Sequence, residues 1–156
     1  MVTKLTAAEF LRRLKAKANA AERKKYERYF PGENDFTGVR MGQVFALAKE
    51  HIDMPVGEIE KLMDSKIHEA RAGALSIMGK AGSAKKVSPA RLEELYKLYL
   101  RRHDRIDSWD LVDLAAHQLV GRYLADKPRA PLYKLAKSKF WPERRTAIVA
   151  TAHFIR

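Results

Sequence analysis

The chain is organised around residues 106–121, which read IDSWDLVDLAAHQLVG. The spacing predicts a helix that begins after Asp107, a residue type that caps helix N-termini well. At about 100° per residue, the apolar side chains of this helix fall on one broad arc. Trp109 lies at the edge of that arc, and Asp113 and His117 continue its row. A large aromatic ring is therefore predicted beside a carboxylate at the margin of a buried face, as in the lining of a groove.

Composition favours a polyanionic partner. The 156 residues include 31 Lys and Arg against 19 Asp and Glu, a formal net charge of +12. Such an excess points to nucleic acid ahead of an acidic membrane surface, although general solubility is the alternative explanation. The absence of cysteine excludes disulfides, a thiolate metal site and a thiol nucleophile. No apolar run reaches membrane-span length, so we expect a cytoplasmic protein, nucleoid-associated if bacterial, forming a single domain over residues 1–156.

The rest of the chain predicts helices only, because alternating β-branched runs and hairpin dipeptides are missing. A capping-box pattern at Thr6 starts the first helix. The later helices are predicted at about 20–30, 41–51, 55–63, 67–80, 90–103, 132–139 and 142–155, with a flexible basic loop at 79–86. Residues 69–75 and 143–148 echo one another in sequence. We therefore predict an all-α fold, an α-solenoid of HEAT-like antiparallel helix pairs with a concave basic face; an irregular helical bundle is the alternative.

The last predicted helix is apolar on nearly every side, so it is expected to be sandwiched between neighbours. The sequence stops at Phe154-Ile155-Arg156 without the polar outer repeat that solenoids need for solubility. This pattern predicts either a chain shortened at its C-terminus or self-association, in which another copy covers the exposed end.

Three residues stand out as candidates for chemistry. Arg145 lies in the most apolar helix and must meet an anion or an open groove. Taken singly, Trp109 is more often a core aromatic, and Asp113 is more often a solvated charge or the partner of a nearby Lys or Arg. Together they suit DNA that contains a cationic base. An indole attracts a positive ring, a carboxylate stabilises positive charge on the sugar as the N-glycosidic bond breaks, and a guanidinium holds phosphate.

Four stretches carry a resemblance to a known family. They are residues 32–40 (GENDFTGVR), 65–71 (SKIHEAR), 108–113 (SWDLVD) and 141–148 (WPERRTAI). In this order they resemble the DNA alkylation repair family of HEAT-like repeat glycosylases, the AlkD-like proteins, over most of the chain from about residue 26. Many relatives have a Pro and an Arg early in the third helix, where this chain has Gly42-Gln43-Val44-Phe45, and relatives continue into further helix pairs.

The resemblance implies a glycosylase that removes cationic alkylated purines, such as 3-methyladenine and 7-methylguanine, from double-stranded DNA without a metal or organic cofactor. The family's catalytic and lesion-facing positions fall on Trp109, Asp113 and Arg145, with the neighbouring Arg144 as the competing register for the arginine. Five cations are weaker candidates for contacts with the DNA backbone, and each is as readily a solvated charge: Lys85, Lys86, Arg122, Lys139 and Arg144.

Two alternatives stay open from the sequence. A non-catalytic nucleic-acid-binding protein would use the same basic groove for phosphates. A protein-interaction scaffold would use the concave face for a peptide. The sequence leaves open the preferred lesion and whether the base is flipped out of the duplex.

Overall fold

The computed structural model describes residues 3–32 and 35–155. Within these ranges the secondary structure is helical, no strand is present, and an isolated bridge joins Asp35 to Ile67. The α-helices are α1 (Ala7–Lys15), α2 (Ala20–Tyr29), α3 (Met41–Glu50), α4 (Val56–Met63), α5 (His68–Ser83), α6 (Pro89–Arg101), α7 (Trp109–Asp113), α8 (Arg122–Leu124), α9 (Ala130–Ala136) and α10 (Trp141–Ala150). The all-α prediction is confirmed. Packed helices include α9 with α10, which are consecutive in the chain, and α1 with α4, which are not.

The chain divides into two compact units at the boundary between residues 77 and 78, inside α5. In the first unit, α1 begins as predicted, because the Thr6 hydroxyl accepts a hydrogen bond from the Glu9 amide. Phe10 and Leu14 on the inner face of α1 are fully buried. A Cβ at Gly73 would lie 2.4 Å from the Phe10 ring, so the glycine lets the α5 backbone meet that ring.

A buried carboxylate fixes the loop that precedes α3. Glu69 accepts hydrogen bonds from the backbone amides of Thr37, Gly38 and Val39, at 3.1, 2.6 and 2.9 Å. Gly38 has a φ of +87°, and a Cβ there would lie 2.1 Å from the Asn19 carbonyl oxygen. The loop therefore needs glycine at this position, and Glu69 compensates for its buried backbone donors.

In the second unit, the structure corrects the predicted flexible loop at 79–86. Residues 79–83 are helical, because the two glycines serve close packing and do not end α5. A Cβ at Gly79 would lie 2.1 Å from the Leu114 carbonyl oxygen, and one at Gly82 would meet Leu119 at 3.0 Å. The guanidinium of Arg122 then donates 2.7 Å hydrogen bonds to the carbonyls of Gly82 and Ala84 at the end of the helix.

The central stretch is helical, but it is not the single regular helix that its periodicity predicts. Ser108, and not Asp107, takes the N-cap position of α7. After Asp113 the backbone leaves α geometry, reaching φ −140° and ψ −11° at Ala115, and then winds as a π-helical segment, Ala116–Gly121. His117 lies in this wider segment, so the row that begins at Trp109 ends at Asp113.

The last long helix is shorter than predicted. α10 ends at Ala150 and is followed by a 3₁₀ turn, Thr151–Phe154. Its inner face is buried at Thr146, Ala147 and Ala150, whereas Ile148 is 72% exposed. α10 also approaches the π-helical segment closely, since a Cβ at Gly121 would lie 2.3 Å from the Ala150 carbonyl oxygen. Self-association through this end of the chain stays a prediction.

The remaining helices match their predicted positions to within a few residues. The Ser88 hydroxyl caps α6, which places Pro89 in the first turn, and α6 ends two residues before His103. The predicted helix 132–139 is shifted towards the N-terminus, because α9 starts at Ala130 and ends at Ala136. No helix in the described part of the chain is both long and apolar enough to cross a membrane.

Candidate active site

A bidentate ion pair joins α7 to α10 within the second unit. Arg145 Nε donates to Asp113 Oδ1 at 2.9 Å, and Arg145 Nη2 donates to Asp113 Oδ2 at 2.7 Å. The two side chains are 39% and 36% exposed. The guanidinium fork matches the carboxylate plane, so this geometry orients both groups as well as pairing their charges. Two of the three residues singled out from the sequence are therefore in direct contact.

The ion pair affects the arginine electrostatically. The hydrogen bond to Asp113 raises the pKa of Arg145 above its ordinary value, with a further contribution from the negative charge of that carboxylate. Arg145 is therefore a permanent cation facing a carboxylate that accepts two of its N–H groups. Since both side chains are partly open to solvent, the pair can be reached by a ligand.

Trp109 is the third sequence-predicted residue, and the structure places it on the surface. It is the first residue of α7, one helical turn before Asp113, and 52% of it is exposed. The alternative of an ordinary core aromatic is therefore wrong for this residue. Next to it, the Ser108 hydroxyl donates a 2.5 Å hydrogen bond to Asp110. An exposed indole thus precedes the carboxylate on the same short helix.

Behind the ion pair lies a buried polar network that the sequence did not predict. The Thr146 hydroxyl shares hydrogen bonds with the Tyr99 hydroxyl at 2.8 Å and with His103 Nε2 at 2.7 Å. All three residues are buried, and Thr146 directly follows Arg145 in α10. The network ties α6 and the turn after it to the helix that carries the arginine. Thr146 lies within a recognisable motif, but nothing in the sequence shows which groups its hydroxyl meets.

Burial dominates the protonation of this network. It raises the pKa of Tyr99 above its ordinary value, and the negative charge of Asp113 adds to the increase. Burial lowers the pKa of His103. Both residues are therefore neutral near neutral pH, so they act as neutral hydrogen-bonding groups.

The five weaker cations are all in the second unit, in different settings. Lys85, Lys86, Lys139 and Arg144 are exposed. Arg144 donates to the Ser138 carbonyl at 2.7 Å, so Arg145 is the arginine that meets Asp113. Arg122 donates hydrogen bonds to the carbonyls of Gly82 and Ala84, so its guanidinium has a structural role at the end of α5. The contacts of these cations with DNA stay predictions.

Comparison with protein families gives one finding. The family model described as DNA alkylation repair enzyme matches residues 10–156, nearly the whole chain. No curated protein and no solved structure gave a match.

Proposed function

Because the chain belongs to the DNA alkylation repair enzyme family, we propose that it is a DNA glycosylase for cationic alkylated purines in double-stranded DNA. Its substrates would be bases such as 3-methyladenine and 7-methylguanine. The family membership gives a role in DNA repair. The reaction and the substrate class go beyond that membership and rest on the chemistry of the site.

The observation that carries the proposal is the partly exposed Asp113–Arg145 pair, one helical turn from an exposed indole. Hydrolysis of the N-glycosidic bond builds positive charge on the sugar. A fixed carboxylate stabilises that charge and can align the attacking water. In this proposal Asp113 carries both tasks, and the Arg145 fork keeps its two oxygens oriented before substrate arrives.

Trp109 would contact the lesion or its sugar. Alkylation at N3 or N7 gives the purine a positive charge, and the face of an indole attracts a cation by about 0.5–2 kcal/mol, depending on desolvation. The same positive charge weakens the glycosidic bond. A site with one carboxylate and one aromatic face therefore has enough chemistry for these substrates, although it would have too little for an ordinary, neutral base.

Arg145 would also hold the phosphate beside the lesion. A guanidinium has five N–H donors, and the two bonds to Asp113 use Nε and one hydrogen of Nη2. We assign the Nη1 group to a phosphate oxygen. One side chain would then link the acid to the DNA backbone and fix the distance between the carboxylate and the sugar.

The test is release of 7-methylguanine from methylated duplex DNA, measured as free base in single turnovers with protein in excess. Wild-type protein should release the base. Asp113→Asn should bind the duplex and release it far more slowly. Glu93→Gln is the matched control, because Glu93 is another partly exposed acid in an ion pair, with Lys97 at 2.8 Å.

Each outcome separates the candidate functions. Unchanged release by Asp113→Asn would remove this residue from the mechanism. DNA binding by the wild-type protein without release would favour a non-catalytic nucleic-acid-binding protein. Absence of DNA binding would favour a protein scaffold. Specific binding through phosphates should weaken steeply with salt, with a slope of about −0.9 in log K against log salt concentration for each phosphate neutralised.

A further inference from the structure

We infer that Trp141 is a second DNA-contacting indole, which packs against nucleotides a few steps along the DNA from the one that Trp109 meets. The inference rests on the proposed function in one respect, namely that DNA lies over the Asp113–Arg145 pair. It adds Trp141 to the proposed DNA-binding surface and lengthens the stretch of DNA that this surface contacts.

The two tryptophans occupy equivalent positions. Trp109 is the first residue of α7 and lies four residues before Asp113, and Trp141 is the first residue of α10 and lies four residues before Arg145. Their exposed fractions are similar, 52% and 46%. Residues four apart lie on the same face of a helix. Each member of the ion pair therefore has an exposed indole one turn before it.

The direction of the two helical segments places both indoles on the same side of the ion pair. Asp113 faces Arg145, and further along the chain Gly121 meets the Ala150 backbone. On both segments the residue numbers rise from the ion pair to the contact between Gly121 and Ala150. The two segments therefore run in the same direction. Moving back one turn from the ion pair leads to Trp109 on one segment and to Trp141 on the other.

Helix geometry fixes the scale of this arrangement. Packed helices lie about 8–10 Å apart, and four residues advance about 6 Å along an axis. For parallel segments at this spacing we expect the two indoles to lie on the order of 10 Å apart, which is about three base steps of 3.4 Å along the axis of the duplex. Trp141 is therefore too far away to share the base under Trp109, and it reaches nucleotides about three steps away.

The surroundings of Trp141 suit DNA as the occupant. Lys139 and Arg144 flank it in sequence and are exposed, so phosphates meet positive charge while the indole meets a base or a sugar. Contacts from such cations to phosphates position a protein on a duplex, and the indole between them adds an apolar contact. A neutral apolar partner would leave both cations facing an apolar surface.

The chain contains two tryptophans in all, which permits a direct test. Trp109→Phe leaves Trp141 as the sole indole, and Trp141→Phe leaves Trp109. Each variant is titrated with a duplex while indole emission and the anisotropy of a dye on the DNA are followed together. If Trp141 contacts DNA, its emission is quenched along the same binding curve as the anisotropy. Binding with unchanged Trp141 emission would overturn the inference.

A second measurement uses Trp141→Ala. Loss of the apolar contact of the indole should weaken duplex binding by about 10-fold, whereas the release rate at saturating protein should change little, because Trp141 is away from the reacting sugar. Tyr133→Ala is the control, since Tyr133 is an aromatic residue of α9 that is 69% exposed. Equal affinities for the wild-type protein and Trp141→Ala would contradict the inference.

The two proposals fail in different ways. If the wild-type protein releases no base but DNA quenches Trp141, the glycosylase proposal fails and the Trp141 contact stands. If base is released, but DNA leaves the Trp141 emission unchanged and binds Trp141→Ala as tightly as the wild-type protein, only the inference about Trp141 fails.

Discussion

Breaking the Asp113–Arg145 pair should cost the protein little stability and much of its activity. The N–O distances of 2.7 and 2.9 Å are those of strong charge-assisted hydrogen bonds, but more than a third of each side chain is exposed. Exposed pairs contribute about 0.2–1 kcal/mol. We place this one near the top of that range because it is bidentate. Asp113→Asn or Arg145→Gln should therefore lower the melting temperature by only about 2–4 °C.

The expected effect on base release is far larger. Removing a preorganised group that faces the charge of a transition state costs about 10²–10³ in rate, and we expect a loss of this size for Asp113→Asn. Arg145→Gln should lose activity because the Asp113 carboxylate is no longer held in its orientation. If Arg145 acts through Asp113, the double variant should be hardly slower than Asp113→Asn alone, since residues that act as a unit are not additive.

The assay is a double-mutant cycle of single-turnover release rates at saturating protein. All the DNA is bound under these conditions. Loss of the phosphate contact of Arg145 therefore lowers the affinity for DNA but does not lower the measured release rate. The control cycle uses Glu93→Gln and Lys97→Gln, which break an exposed pair on α6; the rates should not change. If the rate losses of Asp113→Asn and Arg145→Gln multiply in the double variant, Arg145 does not work through Asp113, and the reasoning is refuted.

Three further predictions concern the scaffold. Gly121→Ala should destabilise the protein by about 1–3 kcal/mol in chemical unfolding, because the new methyl group meets the Ala150 carbonyl; Gly57→Ala, with open space around it, should not destabilise. Glu69→Gln leaves backbone amides of a buried loop without an anionic acceptor, and should lower the unfolding free energy by about 2 kcal/mol; an unchanged value would contradict the assigned role. Burial lowers the pKa of His103, so the unfolded chain binds its proton at a higher pH than the folded one. Stability should therefore be lost as the pH falls below about 6.5 towards the lowered value, and unfolding of His103→Gln should show a weaker pH dependence in this window.

The sequence was informative where local chemistry decides the structure. The hydroxyls of Thr6 and Ser88 cap α1 and α6, and both helices begin there. A cation in the apolar helix of Arg145 was predicted to need an anion or an open groove, but its pairing with Asp113 was not predicted. The partner and the bidentate geometry come from the structure.

The sequence was less informative where the backbone responds to neighbours. Gly79 and Gly82 have the composition of a loop, but they are helical because Leu114 and Leu119 pack directly against them. The change to π geometry after Asp113 has no local signature, because the apolar spacing of the stretch fits an ordinary helix as well. The exposure of Trp109 depends on what its helix packs against, and this also lies outside the reach of periodicity.

The fork that Arg145 forms around Asp113 has a consequence for how a polyanion approaches the protein. A bare carboxylate would repel phosphates at the place where they must come close. Held by the guanidinium, it belongs to a pair with no net charge, so electrostatic steering by the surrounding lysines and arginines is not opposed there. In the proposed function, the protein would in this way keep a carboxylate available for a developing cation on a surface to which phosphates must bind.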